Sequence, residues 1–403
     1  MRRYRFSTKS PGARILCVSN RDIAPLISRC LQYELEDLIA SVDDVDVIAP
    51  SGSVAHEGAE GLFQAILGKV RQLSLRVLQR LSLRLEQACP IAGRRRLPAG
   101  LSRHYDLVFL STESVADLRA LAPCAMWRSA AKVSACYIEE IYAADIPALG
   151  NLLNLLKRFD HIFVADAGTA EPLARATGRP CHHIPPSTDA LKFCPYPSAP
   201  ERVIDFYAMG RRPELTHNAL LRIAATDDFY YMYDTVKNSE VTSYVEHRNR
   251  LADMIKRSRY FLVNLALFNN PERTGGQQEL GFRYFEGAAG GAILVGDVPD
   301  TQAFHEWFGW EDAVIPLPDD SDQISAVIST LDADPTRCER ISKTNVVNSL
   351  RRHDHVYRWA QVLSAVGLPE TEAMQRRKRA LSDLAESIDR TIPQSELEGS
   401  ANP

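Results

Sequence analysis

Several features are missing from this sequence of 403 residues, and each absence excludes a class of protein. No stretch reaches about 18 uninterrupted apolar residues, so no transmembrane helix is expected, and no long apolar segment follows the basic amino end, as a signal peptide requires. The eight cysteines form no Cys-x-x-Cys pair and no cluster, which argues against a disulfide framework and a zinc site. No Gly-x-Gly-x-x-Gly follows an early strand, which argues against a Rossmann oxidoreductase. These absences indicate a cytoplasmic enzyme.

The charge is balanced overall but unevenly distributed. The chain has 47 Lys and Arg against 51 Asp and Glu, a net charge of −4, yet residues 62–98 hold eight basic residues and one acid, Glu86. Leucines recur there at helical spacing, which predicts a basic amphipathic helix. Such a helix either lies on an anionic membrane surface or packs its apolar stripe on the first domain. Nucleic acid is not expected as a partner, because no aromatic residue after Phe63 stands among these charges.

Short apolar runs alternate with helical patterns along the chain, which predicts an α/β fold with parallel sheets. A segment with five prolines, residues 181–200, divides the alternation in two. We therefore expect two Rossmann-like domains, 1–190 and 191–365, facing across a cleft, followed by a C-terminal helix and frayed tail over 366–403. The predicted strands are 14–19, 45–50, 105–111, 132–138, 161–166, 202–210, 229–234, 260–266, 291–297 and 312–317.

The segment 274–300 carries the strongest chemical signal. Gly275 and Gly276 would let the backbone approach a ligand, and a helix predicted over 279–289 would point its free N–H groups at a phosphate. Glu279, Arg283 and Glu286 would share one face of that helix. The alternative is a solvated Glu279–Arg283 pair with Glu286 on the surface.

From these residues onward the chain resembles the retaining glycosyltransferases of the GT-B fold, which carry a Glu-x7-Glu motif. Glu286, in RYFEGAAGGAILVGD, matches the second glutamate of that motif. The resemblance implies that Glu286 binds the ribose of a nucleotide. The first glutamate should stand eight residues earlier, where this sequence has Gln278, with Glu279 one place late. The resemblance therefore assigns the contact to the transferred sugar to Gln278 or Glu279.

Three further segments resemble the same family in the expected order: 184–195 its connector, 207–221 the strand that opens its second domain, and 349–363 its closing helix. In that family an Arg and a downstream Lys hold the diphosphate. Arg211 or Arg212 fills the first role, whereas Thr216 and His217 stand where the Lys is expected. The implied donor-binding set is completed by the loop and helix residues Gly275, Gly276, Gln277 and Arg283.

The first domain matches the family more loosely. Glu139 and Glu140 end a predicted strand where the family often has an active-site His, so a carboxylate would replace it there. Asn20 follows the first strand at the position of a loop near the donor phosphates. The alternative is that these residues form ordinary strand ends. Asp43–Asp46 contains an Asp-x-Asp, the metal motif of another glycosyltransferase fold, but its place before a first-domain strand favours a turn.

The sequence thus predicts a glycosyltransferase that moves a sugar from a nucleotide-sugar to a glycan or lipid-linked acceptor. We expect retention of configuration, no metal, and no cofactor besides the nucleotide-sugar co-substrate. Domain 1–190 would bind the acceptor and 191–365 the donor, in the cytoplasm and peripherally at the inner membrane through 62–98. Two alternatives stay open: a non-catalytic GT-B relative that scaffolds a membrane assembly, and a nucleotide-sugar 2-epimerase.

Overall fold

The chain folds into two compact units. The N-terminal unit comprises Met1–Ala165 and Thr169–His183, and the C-terminal unit comprises Asp166–Gly168 and Ile184–Pro403. The division after His183 precedes the boundary expected at residue 190. The computed structural model describes residues 2–4 (backbone only), 12–21, 29–49, 104–118, 127–226, 228–234, 241, 243–317 and 321–393. The basic segment 62–98 lies outside the described residues.

Seven strands form the sheet of the N-terminal unit, in the order β1-β3-β2-β4-β5-β6-β7. Neighbouring strands are parallel, except that β1 runs antiparallel to β3. The strands are β1 Arg2–Tyr4, β2 Ile15–Val18, β3 Val45–Ala49, β4 Tyr105–Thr112, β5 Ala131–Ile138, β6 His161–Val164 and β7 Cys181–His183. Among its described residues, this unit has the helices α1 Cys30–Val42, α2 Asn151–Leu156 and α3 Ala170–Thr177.

The parallel strands of this unit are apolar along nearly their whole length, because helices cover both faces of a parallel sheet. Cys17 and Cys136 are buried in it as small hydrophobic residues, as predicted. The Asp-x-Asp run has structural partners: Arg14 pairs with Asp43 at 2.7 Å, and the Tyr105 hydroxyl donates to Asp46 at 2.7 Å. The sequence-based interpretation of this run as a turn rather than a metal motif agrees with these contacts.

The C-terminal unit contains a second sheet of five parallel strands, in the order β12-β11-β10-β8-β9. They are β8 Ile204–Met209, β9 Tyr231–Asp234, β10 Ser258–Val263, β11 Ile293–Gly296 and β12 Ile315–Pro316. Its helices are α4 Ala190–Phe193, α5 Glu214–Thr226, α6 Tyr244–Lys256, α7 Pro271–Thr274, α8 Phe282–Ala289, α9 Gln302–Phe308, α10 Ile324–Asp332, α11 Pro335–Arg352, α12 His355–Ala365 and α13 Glu372–Asp389.

The last helix lies within 366–403, where a C-terminal helix and frayed tail were predicted. Residues 372–389 form α13, with Thr371 as its N-cap. Its buried residues recur at helical spacing, which explains why this charged segment packs: Met374, Leu381, Ala385 and Ile388. Arg351 of α11 bonds Asp389 of α13 at 2.8 Å. Two helices of the C-terminal unit are thereby joined.

Candidate functional site

The carboxyl ends of the strands in the C-terminal sheet bring together most of the polar residues of interest. Strand β8 lies between β9 and β10, so the chain leaves β8 at a topological switch point, where open α/β sheets bind their ligands. Gly210 follows β8 with φ +90°, a conformation that favours glycine. The chain then turns directly into α5, whose first N–H groups face this edge.

Glu286 is the central buried charge of the unit. It lies on α8, is fully buried, and forms ion pairs with the guanidinium groups of Arg248 and Arg283. Gly287 allows this helix to pack closely, because a Cβ there would lie 2.5 Å from Leu294 and 2.6 Å from Phe261. The alternative of a solvated surface Glu286 is therefore excluded. The contact of Glu286 with a ribose stays a prediction.

Arg248 is a site residue that the sequence analysis missed. It lies on α6, 2% exposed, with Thr188 as a second partner at 3.2 Å and its guanidinium 4.9 Å from the centre of the Phe193 ring. The available signal was its spacing, since Arg248 occupies the buried stripe of α6 together with the apolar residues Leu251, Ala252 and Ile255. An arginine on an apolar stripe indicates a buried anionic partner.

The two arginines determine the charge state of Glu286. Burial alone would raise the pKa of this carboxyl, but the positive charges of Arg283 and Arg248 hold it below its ordinary value. Nearby His247 responds in the expected direction. Burial and the charges of Arg248 and Arg283 lower the pKa of His247 to about 4, so this imidazole is neutral at pH 7.

A second polar pair, Tyr207 and Asp234, lies near the carboxyl ends of β8 and β9. The Tyr207 hydroxyl lies 3.2 Å and 3.3 Å from the two carboxylate oxygens of Asp234. Burial raises the pKa of Asp234, while the hydrogen bond from Tyr207 and the charges of Arg283 and Arg212 oppose that shift. Arg283 thus acts electrostatically on both Asp234 and Glu286, which makes these carboxylates parts of one cluster.

The two arginines after β8 occupy different environments. Arg212 donates to the carbonyl oxygens of Gly210 at 2.8 Å and Asp234 at 3.1 Å, and its guanidinium lies 5.1 Å from the centre of the Tyr233 ring. Arg211 is exposed to solvent beside the start of α5. Of the two candidates for the diphosphate, Arg211 is therefore the side chain that an anion reaches without breaking these bonds.

The glycine loop lies at the end of α7, whereas the sequence predicted that it would lead into the start of a helix. Gly275 has φ +60° and ends α7, where its N–H donates to the carbonyl of Pro271 at 3.0 Å. The N–H of Gly276 donates to the Thr274 hydroxyl at 3.4 Å, and that of Gln277 to the Thr274 carbonyl at 3.1 Å. These amides close a helix end rather than opening a new helix. The expectation that they form a helix N-terminal phosphate site was wrong.

The predicted helix over 279–289 begins later, at Phe282, with Gly281 as its N-cap. The segment before it runs alongside residues 264–266: Ala266 donates to the carbonyl of Glu279 at 2.9 Å, and a Cβ on Gly281 would lie 3.0 Å from the Asn264 carbonyl oxygen. Glu279 therefore does not share a helix face with Arg283 and Glu286, because it precedes the helix.

The two candidates for the sugar contact differ in exposure. Gln278 is exposed. Glu279 is 4% exposed, and its carboxylate accepts from the N–H groups of Ala167 and Gly168, at 2.8 Å each, and from Gln277 at 2.6 Å. Burial raises the pKa of Glu279, while these three hydrogen bonds lower it. Both oxygens of Glu279 thus already have donors within the C-terminal unit.

The N-terminal candidates lie at the carboxyl edge of their own sheet. Glu139 follows β5, is 6% exposed, and accepts from the Gln32 amide at 3.2 Å. Its neighbour Glu140 is half-buried. Asn20 follows β2 and is 2% exposed. Sequence order alone did not reveal that α1 supplies Gln32 to this edge.

A hydrogen-bond network joins the connector segment, residues 184–195, to the last two helices of the C-terminal unit. The sequence analysis did not predict this network. Thr188 and Asp354 form a parallel bridge. Fully buried Asp354 accepts two bonds from Arg377, at 2.7 and 2.9 Å, and Arg377 also bonds Asp189 at 2.6 Å. Because Thr188 also accepts a hydrogen bond from Arg248, this network helps to hold Arg248 in its ion pair with Glu286.

Two searches over the described residues were negative. None of their helices is long and apolar enough to cross a membrane. Among the same residues, no group of three or more His, Cys, Asp or Glu side chains is arranged to hold a metal ion.

Comparison with known families gives a match in the C-terminal unit. Residues 206–364 match the family model described as "Glycosyl transferase-like". The matched range runs from β8 through α12 and includes Arg211, Arg248, Arg283 and Glu286. A search of curated proteins finds no match to this chain.

Solved structures extend the comparison to both units. HepE of Anabaena, solved in complex with UDP-glucose, is similar with a TM-score of 0.50 at 11% identity, over 88% of this chain and 99% of that chain. Two further structures are less similar, each with a TM-score of 0.34. The glycosylation associate protein complex of Streptococcus agalactiae is 10% identical over 68% of this chain and 54% of that chain. The glycosyltransferase of kitacinnamycin is 12% identical over 95% and 100%, respectively.

The likeness to HepE shows a mixed α/β fold of the GT-B type with two parallel sheets, as predicted. Residues 206–364 of the C-terminal unit thus match a glycosyl transferase-like domain, which supports the predicted glycosyltransferase enzyme.

Proposed function

We propose that the protein transfers a sugar from a nucleotide-sugar, bound at the carboxyl edge of the C-terminal sheet, to an acceptor. The observation that carries this proposal is the buried Glu286, held by Arg248 and Arg283 inside the segment that matches the family. The charges of Arg248 and Arg283 hold the pKa of Glu286 below its ordinary value, so this carboxylate is ionised at pH 7, the state in which it accepts hydrogen bonds from hydroxyl groups.

Transfer of a sugar requires positive charge where the nucleoside diphosphate departs. The reaction breaks the bond from the anomeric carbon to a diphosphate oxygen, which gains negative charge as the sugar leaves. Exposed Arg211, partly exposed Arg283 and the amino end of α5 supply that charge at one edge of the sheet. This set supports a diphosphate site built from protein groups.

The finer properties of the proposed reaction are taken from the sequence. Retention of configuration rests only on the resemblance around Glu286, and Gln278 and Glu279 keep their predicted sugar contact as a hypothesis. A lipid-linked acceptor and activity at the inner membrane depend on residues 62–98, which lie outside the described residues. HepE was crystallised with UDP-glucose, so UDP and UDP-glucose are the first donors to test.

Thermal-shift measurements with UDP, GDP, ADP, dTDP and their sugar conjugates test the proposal. One nucleotide should stabilise the wild type, by about 2.7 kcal/mol at 100 times its dissociation constant. Glu286→Gln should lose that stabilisation. Glu246→Gln is the matched control and should keep it, because Glu246 is an exposed carboxylate on α6. If no nucleotide stabilises the wild type, the proposal is wrong.

Product analysis then separates the reactions that a nucleotide-sugar site allows. NMR of the products should show the sugar joined to an acceptor through an anomeric carbon of unchanged configuration. Release of an epimerised sugar without any acceptor would instead identify a 2-epimerase, and inversion would contradict the retaining mechanism.

A further inference from the structure

The carboxyl edge of the N-terminal sheet holds a buried polar cluster of its own. Helix α1 crosses the strand ends there: Gln32 donates to Glu139 after β5, and one helical turn later Glu36 accepts from Ser19 after β2 at 2.6 Å. Strand β4 lies between β2 and β5, so these two contacts bracket its end, where Ser111 lies. The register agrees, since Cys17 of β2 pairs with Phe109 of β4, two residues before Ser19 and Ser111.

Five side chains at this edge bury polar atoms that have no hydrogen-bond partner among the residues that the structure describes. The atoms are the amide nitrogen of Asn20, a terminal nitrogen of Arg29, the amide oxygen of Gln32, one carboxylate oxygen of Glu36 and the hydroxyl of Ser111. Each of these residues is at most 9% exposed. Buried polar groups without a partner are costly and rare, so five at one sheet edge indicate a site that a ligand completes.

The unpartnered atoms define the chemistry of that ligand. Asn20 and Arg29 offer donors, Gln32 and Glu36 offer acceptors, and the hydroxyl of Ser111 serves as either. A matching ligand must therefore donate and accept hydrogen bonds within one small region. Hydroxyl groups on a ring do this, because each is both a donor and an acceptor.

The charges at the same edge disfavour an anion. Arg21 pairs with Glu36 at 2.9 Å and with Asp37 at 2.7 Å, and Arg29 pairs with Asp117 at 2.6 Å. The two guanidinium groups are thus matched by carboxylates within the unit, and Glu139 adds a further buried acid. A phosphate would meet more negative than positive charge.

We propose that Asn20, Gln32 and Ser111, with Glu36 and Arg29 beside them, bind the hydroxyl groups of an uncharged sugar. The binding site itself is inferred from the contacts at this edge and does not depend on the proposed function. Its role as the acceptor site rests on the proposed function.

Saturation-transfer difference NMR on the full chain tests the site. The probes are the methyl glycosides of glucose, galactose, mannose and N-acetylglucosamine, with glucose 1-phosphate as the charged counterpart. At least one neutral glycoside should bind. Ser111→Ala and Asn20→Leu should each weaken that binding about fivefold, the loss expected for one neutral hydrogen bond. Ser134→Ala is the control and should bind as the wild type does, because the Ser134 hydroxyl already bonds Asp160 at 2.9 Å.

Three results would overturn the proposal: no glycoside binds, both variants bind as the wild type does, or glucose 1-phosphate binds better than methyl glucoside. The first two would mean that water alone fills the cluster. UDP binding measured on the same samples keeps the two proposals apart. A chain that binds a glycoside but no nucleotide retains this site and loses the proposed function, and the reverse result retains the function and loses this site.

Discussion

At the carboxyl edge of the C-terminal sheet, buried Glu286 lies between two arginines. At the same edge of the N-terminal sheet, buried groups of Asn20 and Ser111 have no partner among the described residues. Both edges pair a buried carboxylate with arginine, but the first exposes Arg211 beside it, whereas the second buries neutral groups that have no partner among the described residues. Leaving a buried charge unpaired destabilises a protein strongly, whereas leaving a buried neutral group without a partner reduces stability only moderately. The two edges should therefore respond differently to mutation.

The largest effect should come from Arg248. Arg248→Met leaves Glu286 buried with one partner fewer, so the free energy of unfolding should fall by about 3 kcal/mol. Arg250→Met, two residues along the same helix, removes an exposed pair with Glu246 and should cost at most about 0.5 kcal/mol. Urea denaturation of both variants measures the difference.

A double variant checks the cause. Adding Glu286→Leu to Arg248→Met removes the under-paired charge and should restore part of the lost stability. If the double variant is less stable than Arg248→Met alone, packing of the arginine, rather than its charge, explains the loss.

The dependence of stability on pH should have opposite signs at the two edges. Arg283 and Arg248 hold the pKa of Glu286 below its ordinary value of 4.5, so its contribution is present above pH 4.5 and is lost as the pH falls through the lower, folded-state value. Burial raises the pKa of Glu36 despite the opposing charge of Arg21, so Glu36 costs stability as the pH rises above 4.5. A tenfold difference in proton affinity between the folded and unfolded chain corresponds to about 1.4 kcal/mol of stability.

Comparing each glutamine variant with the wild type isolates these contributions. The stability advantage of the wild type over Glu286→Gln should shrink on acidification, whereas that of the wild type over Glu36→Gln should grow. Denaturation midpoints between pH 3 and pH 7 measure both trends. Equal slopes for the two variants would contradict the assigned environments.

The fold was largely predictable because parallel strands buried on both faces appear as continuous apolar runs. Strand β2 lies within its predicted range, 14–19, and β4 extends one residue beyond 105–111. Strand β1 was missed because Arg2–Tyr4 has no apolar pattern and pairs only at an edge. Helix α13 lies within 366–403, where a C-terminal helix and frayed tail were predicted, and its four buried residues recur at helical spacing.

The site was less predictable, because its contacts join distant parts of the chain. Glu286 was found through a local motif, but Arg248 reaches it from 38 residues away and Thr188 reaches Arg248 from 60. The helix start was placed too early, because glycines open and close helices alike. Gly275 ends α7, and Gly281 begins α8.

A pair of buried serines gives a smaller effect. Ser134 is fully buried on β5, and its hydroxyl bonds Asp160, so Ser134→Ala should cost about 1 kcal/mol. Ser111 is 1% exposed on β4, and its hydroxyl has no partner among the described residues, so Ser111→Ala should cost nothing or stabilise the ligand-free chain slightly. Thermal unfolding of both variants without ligand makes the comparison. Equal losses would indicate that the Ser111 hydroxyl is bonded in solution, which would remove the contrast between the two edges.

Arg211 should give the smallest effect on stability and a clear effect on binding. Because its side chain is exposed, Arg211→Ala should change the free energy of unfolding by less than about 0.5 kcal/mol. Loss of a charge-assisted bond to a phosphate should weaken the nucleotide that stabilises the wild type about tenfold or more, which titration calorimetry measures. Arg222→Ala, at an exposed position on α5, is the matched control and should keep the affinity. Unchanged affinity in Arg211→Ala would mean that the exposed arginine beside the paired cluster does not hold the diphosphate. The positive charge for the leaving group would then have to come from Arg283 and the amino end of α5.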